Sequence, residues 1–441
     1  METIDVVHRA GASDGGSGRE GCWMRGCVGM SYSKVDKCRI CGNRELVQVL
    51  DLGIQSLTGV FPRSPDQEVT KGPLRLVKCF GGDGVCGLLQ LEHSYSLGEM
   101  YGENYGYRSG LNSDMVRHLQ EKVARILGAI RLQPGALIVD IGSNDSTTLQ
   151  AYPAGEYELV GVDPTGAKFR DFYPAHIGLI PDFFSGNLIR QRFGDRRASV
   201  VTSFSMYYDL EDPLAFMRQV AEILAEDGIW VFEQSYMPTM LERNSYDTAC
   251  HEHLEYYSLK QIHWMAERSG LKVIDVEFND VNGGSFSVTA ARRESAHRVS
   301  PEVAEVLKRE VELGLDTLVP YREFEVRVEQ TRAALREFID TAKAQGKTIA
   351  GLGASTKGNV LLQYCGLTST DLSSIGEVNG DKFGAYTPGS LIPIIDEHEL
   401  LSQAPDYLIV LPWHFRNFFM VNRSRYGVSK LVFPLPVLEL A

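Results

Sequence analysis

The chain has 441 residues, 44 Lys and Arg against 57 Asp and Glu, and a formal net charge of −13, enough for two to four domains with a substantial core. The acidic excess, unbroken by any long Lys/Arg run, argues against a nucleic-acid surface, which needs a basic patch to neutralise phosphate. No stretch reaches the roughly 20 apolar residues of a membrane span and the Met-Glu-Thr-Ile-Asp start lacks a signal pattern, so a soluble, cytoplasmic protein is expected.

Residues 1–36 are rich in Gly and Ser, show no sustained periodicity, and read as a flexible extension in which Cys22 and Cys27 stay unligated. Next come Cys38 and Cys41, a C-x2-C knuckle in Lys-Cys-Arg-Ile-Cys-Gly, and a looser pair, Cys79 and Cys86, threaded with glycines. Four thiolates suit tetrahedral structural zinc. Disulfides fit a reducing compartment less well, and free core cysteines are the other reading. Four protein ligands leave no open position, so such a metal would staple a small domain and not catalyse.

Ala136 to Ile141 is an apolar strand that runs into the small polar turn Gly142-Ser-Asn-Asp145, with a helix expected from near Ser146. The next strand, Tyr157 to Val162, ends on Asp163, about 20 residues on, where an acidic side chain meets ribose hydroxyls in a doubly wound sheet. A pyrophosphate would ask for G-x-G-x-x-G and exposed helix N–H groups. This turn, bracketed by Asp140 and Asp163, favours S-adenosylmethionine over NAD. Asp140, Gly142, Asn144, Asp145, Asp163 and Pro164 are therefore the cofactor candidates. The alternation continues with a strand from Ala198, a helix over Pro213–Glu226 and a strand from Gly228 ending on Glu233. Strand ends carry the ligands of such sheets, which brings Ser203, Phe204, the run to Asp209, and Glu233 near cofactor or substrate.

Residues 250–257 read Cys-His-Glu-His-Leu-Glu-Tyr-Tyr. Imidazole titrates nearest neutrality, so His251 and His253 around Glu252 point to general acid/base chemistry. The spacing is not the His-Glu-x-x-His of a zinc protease, whose histidines lie one turn apart on a helix. Structural histidines or a partial metal site are the plainer readings.

From about 300 to 346 the pattern is helical. Thr348 then opens a second strand, Gly-rich turn and helix unit, in which Gly351 and Gly353 permit close backbone approach and Lys357 could meet an anion. A rigid loop follows at Ala385-Tyr-Thr-Pro-Gly, and Tyr407 begins a strand ending on Trp413 and His414. This half is expected to hold a second, phosphorylated ligand.

Together, Cys-Arg-Ile-Cys-Gly, Val-Asp-Ile-Gly-Ser-Asn-Asp, Cys-His-Glu-His-Leu-Glu-Tyr-Tyr-Ser, Asn282-Gly-Gly-Ser285, Gly-Leu-Gly-Ala-Ser-Thr-Lys-Gly-Asn359 and Tyr386-Thr-Pro-Gly resemble, in this order, the S-adenosylmethionine-dependent sugar C-methyltransferases. The resemblance covers roughly residues 37–441. It implies an α/β chain with a zinc domain at 37–110, a central Rossmann-like methyltransferase domain at 111–298, and a helical plus Rossmann-like domain at 299–441 that binds a nucleotide-linked ketosugar.

The same resemblance implies that a base removes the proton beside the sugar carbonyl and the resulting enolate takes the methyl group. His253 matches the base position. Glu252 would fix its tautomer or orient a hydroxyl, and Tyr105 or Tyr107 would touch the enolate oxygen or the cofactor. Asn282, Ser285, Lys357, Asn359, Tyr386, Trp413 and His414 fall in motifs on the substrate side. Three departures stand out. Cys250 occupies a place where some members have Tyr, Tyr207-Tyr208-Asp209 stand where some have Ala-His, and Asn144-Asp-Ser replaces Asn-Asp-Gly. O- or N-methylation on the same scaffold, an NAD-dependent sugar oxidoreductase, and a non-catalytic zinc-stapled binding protein are the competing readings. A monomer or small homo-oligomer is expected.

Overall fold

The strand Leu137–Ile141, four aliphatic residues and Asp140, all buried, lies near the middle of a seven-stranded sheet. This computed structural model describes residues 32–82, 84–96, 100 and 108–441. Tyr105, Tyr107, Cys22 and Cys27 lie outside the described residues. Across the sheet the strands run Leu271–Asn279, Ser285–Arg292, Leu224–Ser235, Ala198–Phe204, Leu137–Ile141, Glu158–Val162 and Ile177–Ile180. The last five are parallel, and Ser285–Arg292 is antiparallel to both its neighbours. Strands covered on both faces read as continuous apolar runs. The chain leaves Leu137–Ile141 to one side and returns to the other, which opens a crevice at the strand ends.

A six-stranded sheet repeats this plan, in the order Ile394–Asp396, Ile375–Glu377, Ile349–Leu352, Tyr407–Val410, Lys430–Phe433 and Glu439–Leu440. All pairs are parallel except the last. Its crevice lies beside Ile349–Leu352. The two sheets are joined by helices Pro301–Glu312 and Val319–Ala344, the second burying Tyr321, Phe324, Val328, Leu335 and Ile339 at helical spacing.

The N-terminal sheet is antiparallel: Leu46–Ser56, Lys71–Cys79, Leu89–Leu91 and, at its edge, Glu255–Tyr256. That last strand follows the His-Glu-His segment, so one end of the segment is fixed to the N-terminal sheet.

Three sequence expectations need correction. Tyr32–Lys34, placed in the extension, pairs with His93–Tyr95, with Tyr32 edge-on to the His93 ring. The helix expected over Pro213–Glu226 ends at Ile223, because Leu224 already pairs with Ala198. The strand from Tyr407 stops at Val410, before Pro412, and Trp413 and His414 sit in a short 3-10 turn.

Candidate active site between the two crevices

The four cysteines of the N-terminal unit converge. All their sulfurs lie within 4.8 Å of one another, with Cys38–Cys86 at 3.4 Å and Cys41–Cys79 at 3.5 Å. Asn43 donates to the Cys79 sulfur at 3.4 Å, and Gln261 donates to the Cys86 carbonyl at 2.9 Å, which ties the cluster to the methyltransferase sheet's helix Leu259–Arg268. Four convergent sulfurs with no open position fit a closed tetrahedral zinc site.

At the central crevice the turn after Leu137–Ile141 passes through left-handed conformations at Gly142, Asn144 and Ser146. A Cβ at Gly142 would crowd the Met206 side chain at 3.0 Å, and the φ of +75° strains any other residue, so the position favours glycine. Asp163 reaches back to accept from the Asn144 amide at 2.8 Å and, through its other oxygen, from the Thr165 amide and hydroxyl. Asp140 accepts from Thr202 at 2.6 Å, and burial pushes it up to about 7. Residues 108–110 close over the turn, with Ser109 and Gly110 amides donating to Asn144 and Asp145 and Arg108 lying over the Phe172 ring. Among the described residues the turn is faced by buried carboxylates and by Arg108, 3.9 Å from Asp145, a setting that suits a nucleoside with a positively charged sulfur better than a phosphate. Pro164 is exposed at the start of the next turn, and Phe204 is half-buried at its strand end. Ser203 points away, accepting from the Trp230 indole at 3.0 Å.

Beyond the crevice, residues 246–254 fold against the end of strand Leu224–Ser235. His253 Nδ1 lies 3.0 Å from the Thr248 carbonyl. A carbonyl only accepts, so Nδ1 carries the hydrogen and Nε2 keeps its lone pair. The Tyr208 ring packs 4.2 Å from the imidazole, and both line a small cavity of about 10 Å³ with Thr248, Glu255 and Tyr256. Burial, and then the nearby Lys357 cation, hold His253 down at about 4. Glu252 lies 3.4 Å from the Thr58 hydroxyl, and burial raises its carboxyl. His251 is wholly buried, edge-on to Tyr95 at 4.7 Å, and burial drives it down to about 3. The two histidines thus face different surroundings.

The C-terminal crevice meets this site directly. Lys357 donates to the Asn282 carbonyl at 2.6 Å, and burial lowers its pKa. Trp413 donates to Asp247 at 2.8 Å, and the His414 ring lies against Gly283. Asn282 in turn reaches Ser205 at 3.4 Å. Two residues turn elsewhere. Asn359, fully buried, donates to the Thr58 carbonyl, and Ser285 donates to the Val281 carbonyl. Tyr386 is half-buried and its amide donates to Pro62.

Three family models match: a zinc binding domain over residues 38–101, a methyltransferase domain over 111–276, and a C-methyltransferase C-terminal domain over 280–436. C-methyltransferase NovU of Streptomyces niveus is 32% identical over 409 residues, covering 91% of this chain and 96% of that protein. This chain belongs to the C-methyltransferase family. It is an S-adenosylmethionine-dependent methyltransferase with a zinc-binding domain, in which the sulfurs of Cys38, Cys41, Cys79 and Cys86 gather in a way that fits structural zinc. Among solved structures, the CcbJ methyltransferase of Streptomyces caelestis aligns at TM-score 0.31 and 14% identity, over 39% of this chain and 89% of that one. Magnesium protoporphyrin IX methyltransferase of Synechocystis aligns at 0.30 and 13%, over 40% and 79%. Nothing about site or substrate follows from likenesses this distant.

Several residues that build the site carry no local sequence signal. Asp247, Thr58 and Gly59 reach it only through tertiary packing, and a Cβ on Gly59 would collide with the Glu252 carboxylate. Glu233 sits at the expected strand end but is enclosed by His118 at 2.6 Å, Lys122 at 2.8 Å and Asn279 at 2.8 Å. No helix among the described residues is long and apolar enough to cross a membrane.

Proposed function

We propose that the methyl acceptor is the carbon beside the carbonyl of a nucleotide-linked ketosugar, and that His253 removes its proton. The observation that carries this reading is the Nδ1 contact of His253 with Thr248, which leaves Nε2 as a free base beside Tyr208. A lowered pKa keeps the imidazole neutral at physiological pH and so able to accept a proton. In the step we infer, the acceptor C–H proton moves to Nε2, the C–H electron pair becomes the enolate double bond, and negative charge develops on the carbonyl oxygen. S-adenosylmethionine supplies an electrophilic methyl group on a positively charged sulfur. Asp140, Asn144, Asp145 and Asp163 would hold the cofactor at the central turn, and positioning does most of the work of the transfer.

Tyr208, whose ring packs tilted against His253, is our candidate for the phenol that Cys250 does not provide. Glu252, raised by burial, can orient a sugar hydroxyl. Lys357, Trp413 and His414 face the same junction from the C-terminal crevice, and a buried cation there favours a diphosphate. We take residues 37–110, 111–298 and 299–441 as the three functional units, in a reducing compartment such as the cytoplasm, where the four thiolates stay available to zinc.

The test is incubation with S-adenosylmethionine and dTDP-, GDP- and UDP-ketosugars in deuterated water. We expect a C-methylated product, with solvent deuterium appearing at the same carbon when the cofactor is withheld, and both lost in His253→Ala. Methylation at oxygen or nitrogen, or full turnover by His253→Ala, would refute the reading.

A further inference from the structure

The zinc knuckle contains a side chain that its metal role does not explain. Arg39 lies between Cys38 and Cys41, and its side chain is only 2% exposed. Two of its nitrogens are fixed by hydrogen bonds, Nη1 to the Leu91 carbonyl at 2.8 Å and Nη2 to the Ser94 hydroxyl at 2.8 Å. Its backbone amide donates to Gln90 at 2.9 Å. The remaining nitrogen, Nε, stands 3.6 Å from Glu255 and 3.5 Å from the half-exposed Glu211.

Glu255 is wholly buried, and neither carboxylate oxygen has a hydrogen-bond partner among the described residues. Arg39 is the cation that the described residues place within ion-pair distance of it. The Glu255 backbone belongs to the edge strand paired with Gln90, and Glu255 lines the same small cavity as His253, two residues upstream. A buried carboxylate without its counter-charge must move or take up a proton. Either response disturbs the wall of the cavity against which His253 rests.

We propose that Arg39 is a positioning residue for methyl transfer: anchored by the knuckle, Leu91 and Ser94, it holds Glu255 in place and thereby the orientation of His253. The knuckle then does more than staple a small domain, because the residue between its ligands sets the geometry of the segment carrying the base. The inference rests on His253 being that base, and His253→Ala tests that reading separately.

The experiment compares Arg39→Met, Glu255→Gln and the double variant as zinc-loaded full-length enzymes, measuring kcat, the Kd for S-adenosylmethionine, and zinc content. We expect Arg39→Met to lower kcat about 100-fold, the scale of a displacement near 1 Å at a reacting group. Zinc content and cofactor Kd should stay within twofold. In the Glu255→Gln background, where no buried charge is left unpaired, Arg39→Met should change kcat less than threefold. An equal loss in both backgrounds, or wild-type kcat in folded Arg39→Met, would overturn the proposal. If Arg39→Met does not fold, Arg39→Met/Glu255→Gln must fold, bind zinc and match the kcat of Glu255→Gln; a double variant that stays unfolded, or falls well below Glu255→Gln, overturns it too. An inactive His253→Ala enzyme combined with additive Arg39 effects would sink this inference alone.

Discussion

Asp163 and Glu377 occupy equivalent places in two separate sheets. Asp163 directly follows the second strand of its unit, Glu377 ends that of the other, and each reaches back to a backbone amide in the turn after the first strand, Asp163 to Asn144 at 2.8 Å and Glu377 to Ala354 at 2.9 Å. Each uses its other oxygen on the chain just beyond itself, Asp163 on Thr165 and Glu377 on Val378 and Asn379. Both carboxylates pin the turn of their crevice.

Asp163→Asn should therefore loosen the cofactor turn. The new amide can accept on one side only, and its NH2 opposes an N–H on the other, a cost of about 1–3 kcal/mol. Calorimetry should give a Kd for S-adenosylmethionine at least tenfold higher with zinc content unchanged. An unaltered Kd would remove Asp163 from the cofactor site.

The pH dependence follows from three buried imidazoles. His251 and His414 are held down at about 3 and His253 at about 4, each chiefly by burial. All three lie below the usual value of 6.5 in the unfolded chain, so between pH 6.5 and 4 the unfolded state binds more protons. Their contribution to stability is therefore fully present above pH 6.5 and is lost as pH falls, by up to about 1.4 kcal/mol per unit for each group. Denaturant midpoints across pH 7 to 4 check this, and His414→Phe should flatten the curve.

Lys357 lowers His253 through its charge, so Lys357→Met should move the acid limb of the kcat profile upward. The measurement is the pH–rate profile of both proteins with saturating cofactor. An acid limb that does not move would separate the two residues.

Removal of zinc by a strong chelator, or Cys86→Ala, should abolish methyl transfer and lower Tm together. Cys79 of the cluster ends the strand Lys71–Cys79, in the same sheet that receives Glu255–Tyr256 at its edge. Zinc-free protein with full turnover would contradict this.

Glu233→Gln tests a residue the sequence placed near the ligand. Its loss leaves Lys122 with Glu277, so we expect destabilisation of about 2 kcal/mol, below the 3–5 kcal/mol of a fully stranded charge. The cofactor Kd should move less than threefold. A tenfold rise without loss of stability would make Glu233 a direct ligand.

The repeated strand and glycine turn, and the acidic strand end of the central unit, were legible because they are local, whereas the matching role of Glu377 was not read from the sequence. The four cysteines were legible because thiolate spacing carries its own chemistry. His251 and His253 looked equivalent in sequence, and only packing separates them, one against Tyr95 and the other against Tyr208 and Thr248. Ser203 was assigned by strand position, but alternation along the strand turns its hydroxyl to Trp230. Asp247 and Trp413, or Arg39 and Glu255, meet across more than 100 residues of chain, and no periodicity reports such a pairing.

The edge strand Glu255–Tyr256 has a consequence for how the chain is made. During synthesis, Leu89–Leu91 emerges long before its partner and presents an open sheet edge, the kind of surface that invites pairing with another chain. The metal-binding unit can gather its cysteines early, yet its sheet is completed only when the methyltransferase segment arrives. A ribosome-released fragment ending near residue 110 should therefore be prone to aggregate, whereas one extending past Tyr257 can close the edge itself.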